Sequence, residues 1–151
     1  MNFSRINENL YVGTTPKSKD YSILRELGVE LVINMRIGFP PAHDRFSPPM
    51  RSLWLPVIDS PIFPIPIRAL QMGVKEALKV IDHGGVVYVH CSKGKHRGPA
   101  MGACILIAQG KSPEEAMQMI KQQRLIADPQ AWYIRRRIMK FAQEWTRTRI
   151  K

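Results

Sequence analysis

Four consecutive apolar residues, Val86-Val87-Tyr88-Val89, lead into a glycine-bearing loop over residues 91–97. An apolar helical segment follows, Pro99 to Gln109, and Gly110 stops it. A strand apolar on both faces must be covered on both faces, and a helix apolar nearly all round must be buried. A strand–loop–helix unit of that kind belongs at the centre of an α/β domain.

The rest of the chain fits the same class. Leu10-Tyr11-Val12-Gly13 reads as a short strand entering a turn, and Ser18 to Leu27 as a short helix stopped by Gly28. Val29–Met35 is β-branched and apolar, a buried strand. Residues 37–50 hold Gly38 and the prolines 40, 41, 48 and 49, and so form a loop. Ser52–Val57 reads as a second strand, with Pro56 marking an edge or an end. Asp59–Pro66 is another proline-rich loop. Arg68–Asp82 has helical apolar spacing at Leu70, Val74, Leu78 and Ile81. Ser112-Pro113-Glu114-Glu115 is a capping box with proline at the first helical position, and Asp128-Pro129 predicts a last helix over about 129–147. Strands alternate with helices early and helices dominate late, which predicts a mostly parallel central β-sheet flanked by α-helices. The 151 residues are expected to form a single domain.

The charge is uneven. The formal net charge is +11, with a net of +5 in residues 1–110 and +6 in residues 111–151. Such a basic domain is suited to anionic ligands: phosphate groups, nucleic acid or an acidic membrane surface. The basic end, with Arg135-Arg136-Arg137, Arg147, Arg149 and Lys151, reads first as a solvated helix face and second as a weak polyanion contact. Two cysteines make no disulfide framework, the N-terminus lacks an apolar signal segment, and no apolar run is long enough to span a membrane. The expectation is a cytoplasmic monomer with free thiols.

The loop His90-Cys91-Ser92-Lys93-Gly94-Lys95-His96-Arg97-Gly98-Pro99 carries the chemistry. A loop wrapping into a helix N-terminus points several N–H groups at one spot, and the helix dipole adds positive charge there. Gly94 allows a close wrap around an anion. Arg97 adds a two-pronged contact to phosphate oxygens. Residues 92–97 together are the expected phosphate site, one that inorganic phosphate, vanadate or sulfate would also occupy. Cys91 opens the loop, where amides, helix end and Arg97 all favour thiolate over thiol. A thiolate beneath a bound phosphate is placed to attack phosphorus. His90 is expected to orient the loop through hydrogen bonds.

Cys-x5-Arg between a strand and a helix, preceded by histidine, resembles the phosphate loop of cysteine-dependent protein tyrosine phosphatases. Asn9-Leu10-Tyr11-Val12-Gly13 is similar to the "LYLG" segment of the small dual-specificity type. Leu27–Asn34 is similar to its "LGITHVLN" segment, and Arg124, Pro129, Trp132 and Phe141 match its C-terminal pattern loosely. The resemblance covers about residues 6–145. It implies a phosphomonoester hydrolase that needs no metal or cofactor and forms a phosphocysteine intermediate. Asp59, 32 residues before Cys91, would then be the general acid and base, with Asp44 second in line and Asp82 third. One position departs from the pattern: Gly98 stands where the family has Ser or Thr, whose hydroxyl assists release of the thiolate.

The substrate stays open at this level. A phosphorylated protein is the first expectation. Lys95 resembles a position found in phosphatases of inositol lipids, and with Lys93 it would either neutralise additional phosphates, reinforce one, or face solvent. RNA 5′-phosphates and a purely phosphate-reading binding module are further readings. The His43-Asp44 pair lacks the additional ligands that a metal-dependent hydrolase requires. Cys104, Met117, Met119, Ile120, Trp132 and Trp145 read as core residues.

Overall fold

The computed structural model describes residues 1–150, and the side chains of residues 1–148. The Arg149 side chain and Lys151 of the basic end lie outside the described residues. In chain order the elements are β1 (Phe3–Asn7), β2 (Leu10–Gly13), a 3-10 turn (Ser18–Asp20), α1 (Tyr21–Glu26), β3 (Val29–Arg36) and β4 (Arg51–Val57). Then come α2 (Ile67–Ile81), β5 (Val86–His90), α3 (Arg97–Ala108), α4 (Pro113–Gln123) and α5 (Trp132–Ile150). The sheet order is β1-β2-β5-β3-β4. Among the described residues only the β1–β2 pair is antiparallel; β2–β5, β5–β3 and β3–β4 are parallel. This is the expected α/β architecture with a mostly parallel sheet.

The apolar strand β5 sits at the centre, and its alternation feeds two cores. Val87 and Val89 join Leu31, Ile33 and Met35 of β3 on one face, beneath α2, α3, α4 and α5. Tyr88 joins Val32 on the other face, with Tyr21 and Leu24 of α1. Helix α3 is buried along its whole length, as its composition requires. Gly102 lets it approach β2, since a Cβ there would lie 3.0 Å from Val12. Pro56 falls on β4, an edge strand, where a missing N–H disrupts no ladder.

The structure differs from the sequence expectation at four places. Residues 3–7 form an unexpected edge strand. The segment 18–27 divides into a 3-10 turn and α1, because the Asp20 carboxylate accepts the Lys17 N–H at 2.8 Å and tightens the first turn. Helix α3 begins at Arg97 rather than Pro99, with the first helical bond from Ala100 N–H to the His96 carbonyl. The last helix begins at Trp132 rather than 129. There the Asp128 N–H donates to the Lys95 carbonyl at 2.8 Å, so residues 128–131 turn against the phosphate loop before the helix starts.

Candidate active site

Strand β5 ends at His90 and α3 begins at Arg97, so the loop between them is short and framed at both ends by buried elements. Gly94 adopts φ of +66°, a left-handed conformation that suits glycine. Its surroundings exclude a side chain as well, since a Cβ there would lie 2.6 Å from Arg124 Nη2. Arg124 is itself buried and grips the loop from behind. Its Nε donates to the Gly94 carbonyl and its Nη2 to the Lys93 carbonyl, both at 2.9 Å. Its Nη1 donates to Asn2 Oδ1 at 3.0 Å and Ser4 Oγ at 3.1 Å. Two loop carbonyls are thus turned outward onto a guanidinium, leaving the loop N–H groups for the concave side. The sequence reading attached no such role to Arg124; its partners are up to 122 residues away.

Cys91 is 2% exposed, at the floor of a cavity of about 330 Å³ lined by Asp59, Ser92, Lys93, Lys95, His96 and Arg97. Every expected loop residue except the buried Gly94 lines this cavity. Thr15 Oγ1 donates to the Cys91 carbonyl at 3.3 Å, and Arg36 donates to Thr15 Oγ1 at 3.0 Å. Arg97 is aimed by the strand ends. Its Nη1 donates to the carbonyls of Val57 at 3.0 Å and Met35 at 3.4 Å, while its buried Nε has no protein acceptor among the described residues. His90 is buried behind Cys91, and burial pushes its imidazole down to about 4. It is therefore neutral at physiological pH and suited to an orienting role.

Asp59 reaches the cavity from the loop after β4, held by two groups. The His96 Nδ1 lies 2.9 Å from Asp59 Oδ2, and the Tyr133 hydroxyl donates to Asp59 Oδ1 at 2.8 Å. Tyr133 and His96 also meet directly, at 3.3 Å. Burial first, and then the Asp59 carboxylate, push the Tyr133 phenol up to about 12, so it stays an O–H donor. Tyr133 was absent from the sequence reading; the turn at 128–131 places it here. The acid loop is tied further along by Arg137, whose Nε donates to the Ile65 carbonyl at 2.8 Å.

The other two carboxylate candidates are elsewhere. Asp44 is buried away from the cavity. It holds Arg25 at 2.6 Å and accepts the N–H groups of Met50 and Phe46 at 2.6 and 3.1 Å, which makes it the anchor of the 37–50 loop. Asp82 is exposed at the end of α2. Cys104 is fully buried within α3, and burial pushes its thiol up; both cysteines are free. Trp132, expected in the core, is 61% exposed at the start of α5.

Comparison with known proteins gives the family and the fold relatives of the chain. Residues 3–148 match the family described as "PTP-SAK: Swiss Army Knife protein, DSP-PTPase phosphatase domain". The chain belongs to this family. It is 33% identical over 129 residues to the protein-tyrosine-phosphatase MKP1 of Arabidopsis thaliana, a match covering 83% of this chain and 16% of that one. A mouse putative dual specificity phosphatase complexed with zinc tungstate shares the fold at a TM-score of 0.86 and 24% identity, covering 98% of this chain and 91% of that chain. PTPMT1 in complex with PI(5)P superposes at a TM-score of 0.84 with 25% identity, covering 97% of each chain.

Proposed function

We propose that this chain is a cysteine-dependent phosphomonoester hydrolase of the dual-specificity type. The observation that carries the proposal is the gathering of Cys91, Arg97 and Asp59 around one small cavity, with the loop held open by Arg124. In the first step the Cys91 Sγ–P bond forms and the ester P–O bond breaks, and Asp59 gives its proton to the leaving oxygen. Arg97 and the loop N–H groups hold the equatorial oxygens, most tightly in the transition state. The Arg97 Nε would find its acceptor there. In the second step water attacks phosphorus, Asp59 takes its proton, and Sγ leaves as thiolate. The mechanism needs a reduced thiol, which fits the cytoplasm.

Phosphorylated protein is the first substrate reading. Lys93 and Lys95, both exposed and both lining the cavity, favour a second: a ligand with more than one phosphate, such as a phosphoinositide. The PI(5)P complex of PTPMT1 is consistent with it. Any weak polyanion contact on α5 would fall to Arg136, Lys140 and Arg147, since Arg135 is paired with Glu114 and Arg137 holds Ile65.

A substrate panel tests the proposal: an aryl phosphate, phosphotyrosine and phosphoserine peptides, inositol phospholipids and 5′-phosphorylated RNA. Cys91→Ser is expected to lower turnover on the order of 10³-fold or more while retaining phosphate binding. Wild-type turnover in that variant would remove the scheme.

A further inference from the structure

The two segments that adjoin the site, the acid loop and the α4–α5 connection, carry large apolar side chains that stay exposed among the described residues. On one side the acid loop presents Ile62, 77% exposed, and Phe63. On the other, the connection between α4 and α5 presents Leu125, 78% exposed, with Ile126 and Trp132. Both flanks are fixed to the site. The acid loop carries Asp59, is tied to α5 by Tyr133 and Arg137, and shares a small cleft with it, lined by Pro61, Pro64 and Trp132. The second flank follows directly from Arg124, which grips the phosphate loop, and Asp128 bonds to Lys95. Between and beside them stand the exposed cations Lys93, Lys95, Lys121 and Arg136. The carboxylates on this rim are Asp59, already held by His96 and Tyr133, and the half-buried Asp128.

We infer that this rim seats the enzyme on an anionic phospholipid surface, so that the substrate phosphate enters the cavity from a lipid headgroup layer. The chemistry it delivers rests on the phosphatase reading above; the docking does not. Apolar prongs on short loops, with a tryptophan among them and cations alongside, match a membrane interface, where apolar tips enter the acyl boundary and cations meet anionic headgroups. The prongs stand on two separate segments, cations rather than carboxylates predominate among them, and the net charge of the chain has the sign complementary to an anionic surface. The described residues include no helix long and apolar enough to cross a membrane, and the contact proposed here is a surface one.

Co-sedimentation tests it, using vesicles of phosphatidylcholine alone or mixed with phosphatidylglycerol. The wild type and Cys91→Ser are both expected to sediment with the anionic vesicles, and far less with phosphatidylcholine alone or at high salt. Ile62→Ser/Phe63→Ser, with Leu125→Ser added, is expected to weaken binding by up to about tenfold for each prong removed. Turnover of a soluble aryl phosphate should be unchanged in those variants, because the prongs are exposed and outside the catalytic group. A wild type that stays in the supernatant with anionic vesicles at low salt overturns the inference. So does a triple-serine variant that binds as well as wild type, which would leave the rim to a protein partner. A wild type that binds vesicles but hydrolyses no phosphomonoester would remove the enzymatic reading and leave the docking intact.

Discussion

Gly98 directly follows the arginine that holds phosphate, and its backbone lies against the nucleophile. A Cβ added there would sit 3.5 Å from Cys91 Sγ and 3.5 Å from Val12, ordinary contact distances. Serine therefore fits, and its hydroxyl would stand beside the sulfur that must leave in the second step. In the native chain this assistance is missing, and breakdown of the phosphocysteine is expected to limit turnover. A pre-steady-state burst should appear with an aryl phosphate in the wild type. Gly98→Ser should raise steady-state turnover by roughly tenfold and shrink the burst, if one new hydrogen bond to the leaving thiolate is worth about 1.5 kcal/mol. Absence of a burst, with turnover unchanged in Gly98→Ser, would count against this. The departure was legible in the sequence as one residue out of pattern; that the space for a hydroxyl still exists was not.

Helix α5 and the acid loop act as a pair. Tyr133 on the first turn of the helix donates to Asp59, and Arg137 one turn later holds Ile65. Tyr133→Phe removes one of the two groups fixing the acid and leaves the ring packing in place. Turnover of a substrate with a poor leaving group, an alkyl phosphate, should fall by about five- to tenfold. Turnover of p-nitrophenyl phosphate, whose leaving group needs no proton, should change little. An equal loss on both substrates would instead mark a general disturbance of the site. This contact explains where sequence reasoning stopped. Asp128-Pro129 is a sound helix-start signal, yet Asp128 is pinned to the Lys95 carbonyl and its own carbonyl only closes a single turn with the Ala131 N–H, so the helix waits until Trp132. A tertiary bond overrode a local rule, and with it the expectation for Trp132 reversed from core to surface. Strand β1 was missed for a related reason: its half-exposed, mixed residues carry no alternation, and pairing with β2 decides it. By contrast β5, α3 and the loop between them were legible because their apolar runs admit few other solutions.

At the scale of the whole molecule, two buried groups set the acid limit. His90 titrates at about 4 in the fold against 6.5 as a free group, because burial disfavours its charged form. As pH falls through that interval the unfolded chain takes up a proton that the fold refuses, and stability drops. Asp44 is lowered from 3.8 to about 2, chiefly by its hydrogen bond with Arg25. Its contribution, about 2 kcal/mol, is complete above the unfolded value and is lost as pH falls through the folded one. Melting temperature should therefore decline in two stages on acidification. His90→Gln should flatten the upper stage and Asp44→Asn the lower. A wild-type melting temperature that holds constant from neutrality down to the lower stage would contradict this assignment.

The grip of Arg124 has a consequence for synthesis of the chain. Cys91 and Arg97 leave the ribosome well before Arg124, yet the carbonyls of Lys93 and Gly94 have no guanidinium to turn toward until it arrives. The same side chain closes onto Asn2 and Ser4, 122 and 120 residues earlier in the chain. Nascent chains arrested before that point carry every reacting group and lack the clasp that shapes the loop. Phosphate affinity should arise abruptly once Arg124 has emerged, when segments far apart in the polypeptide meet across one arginine.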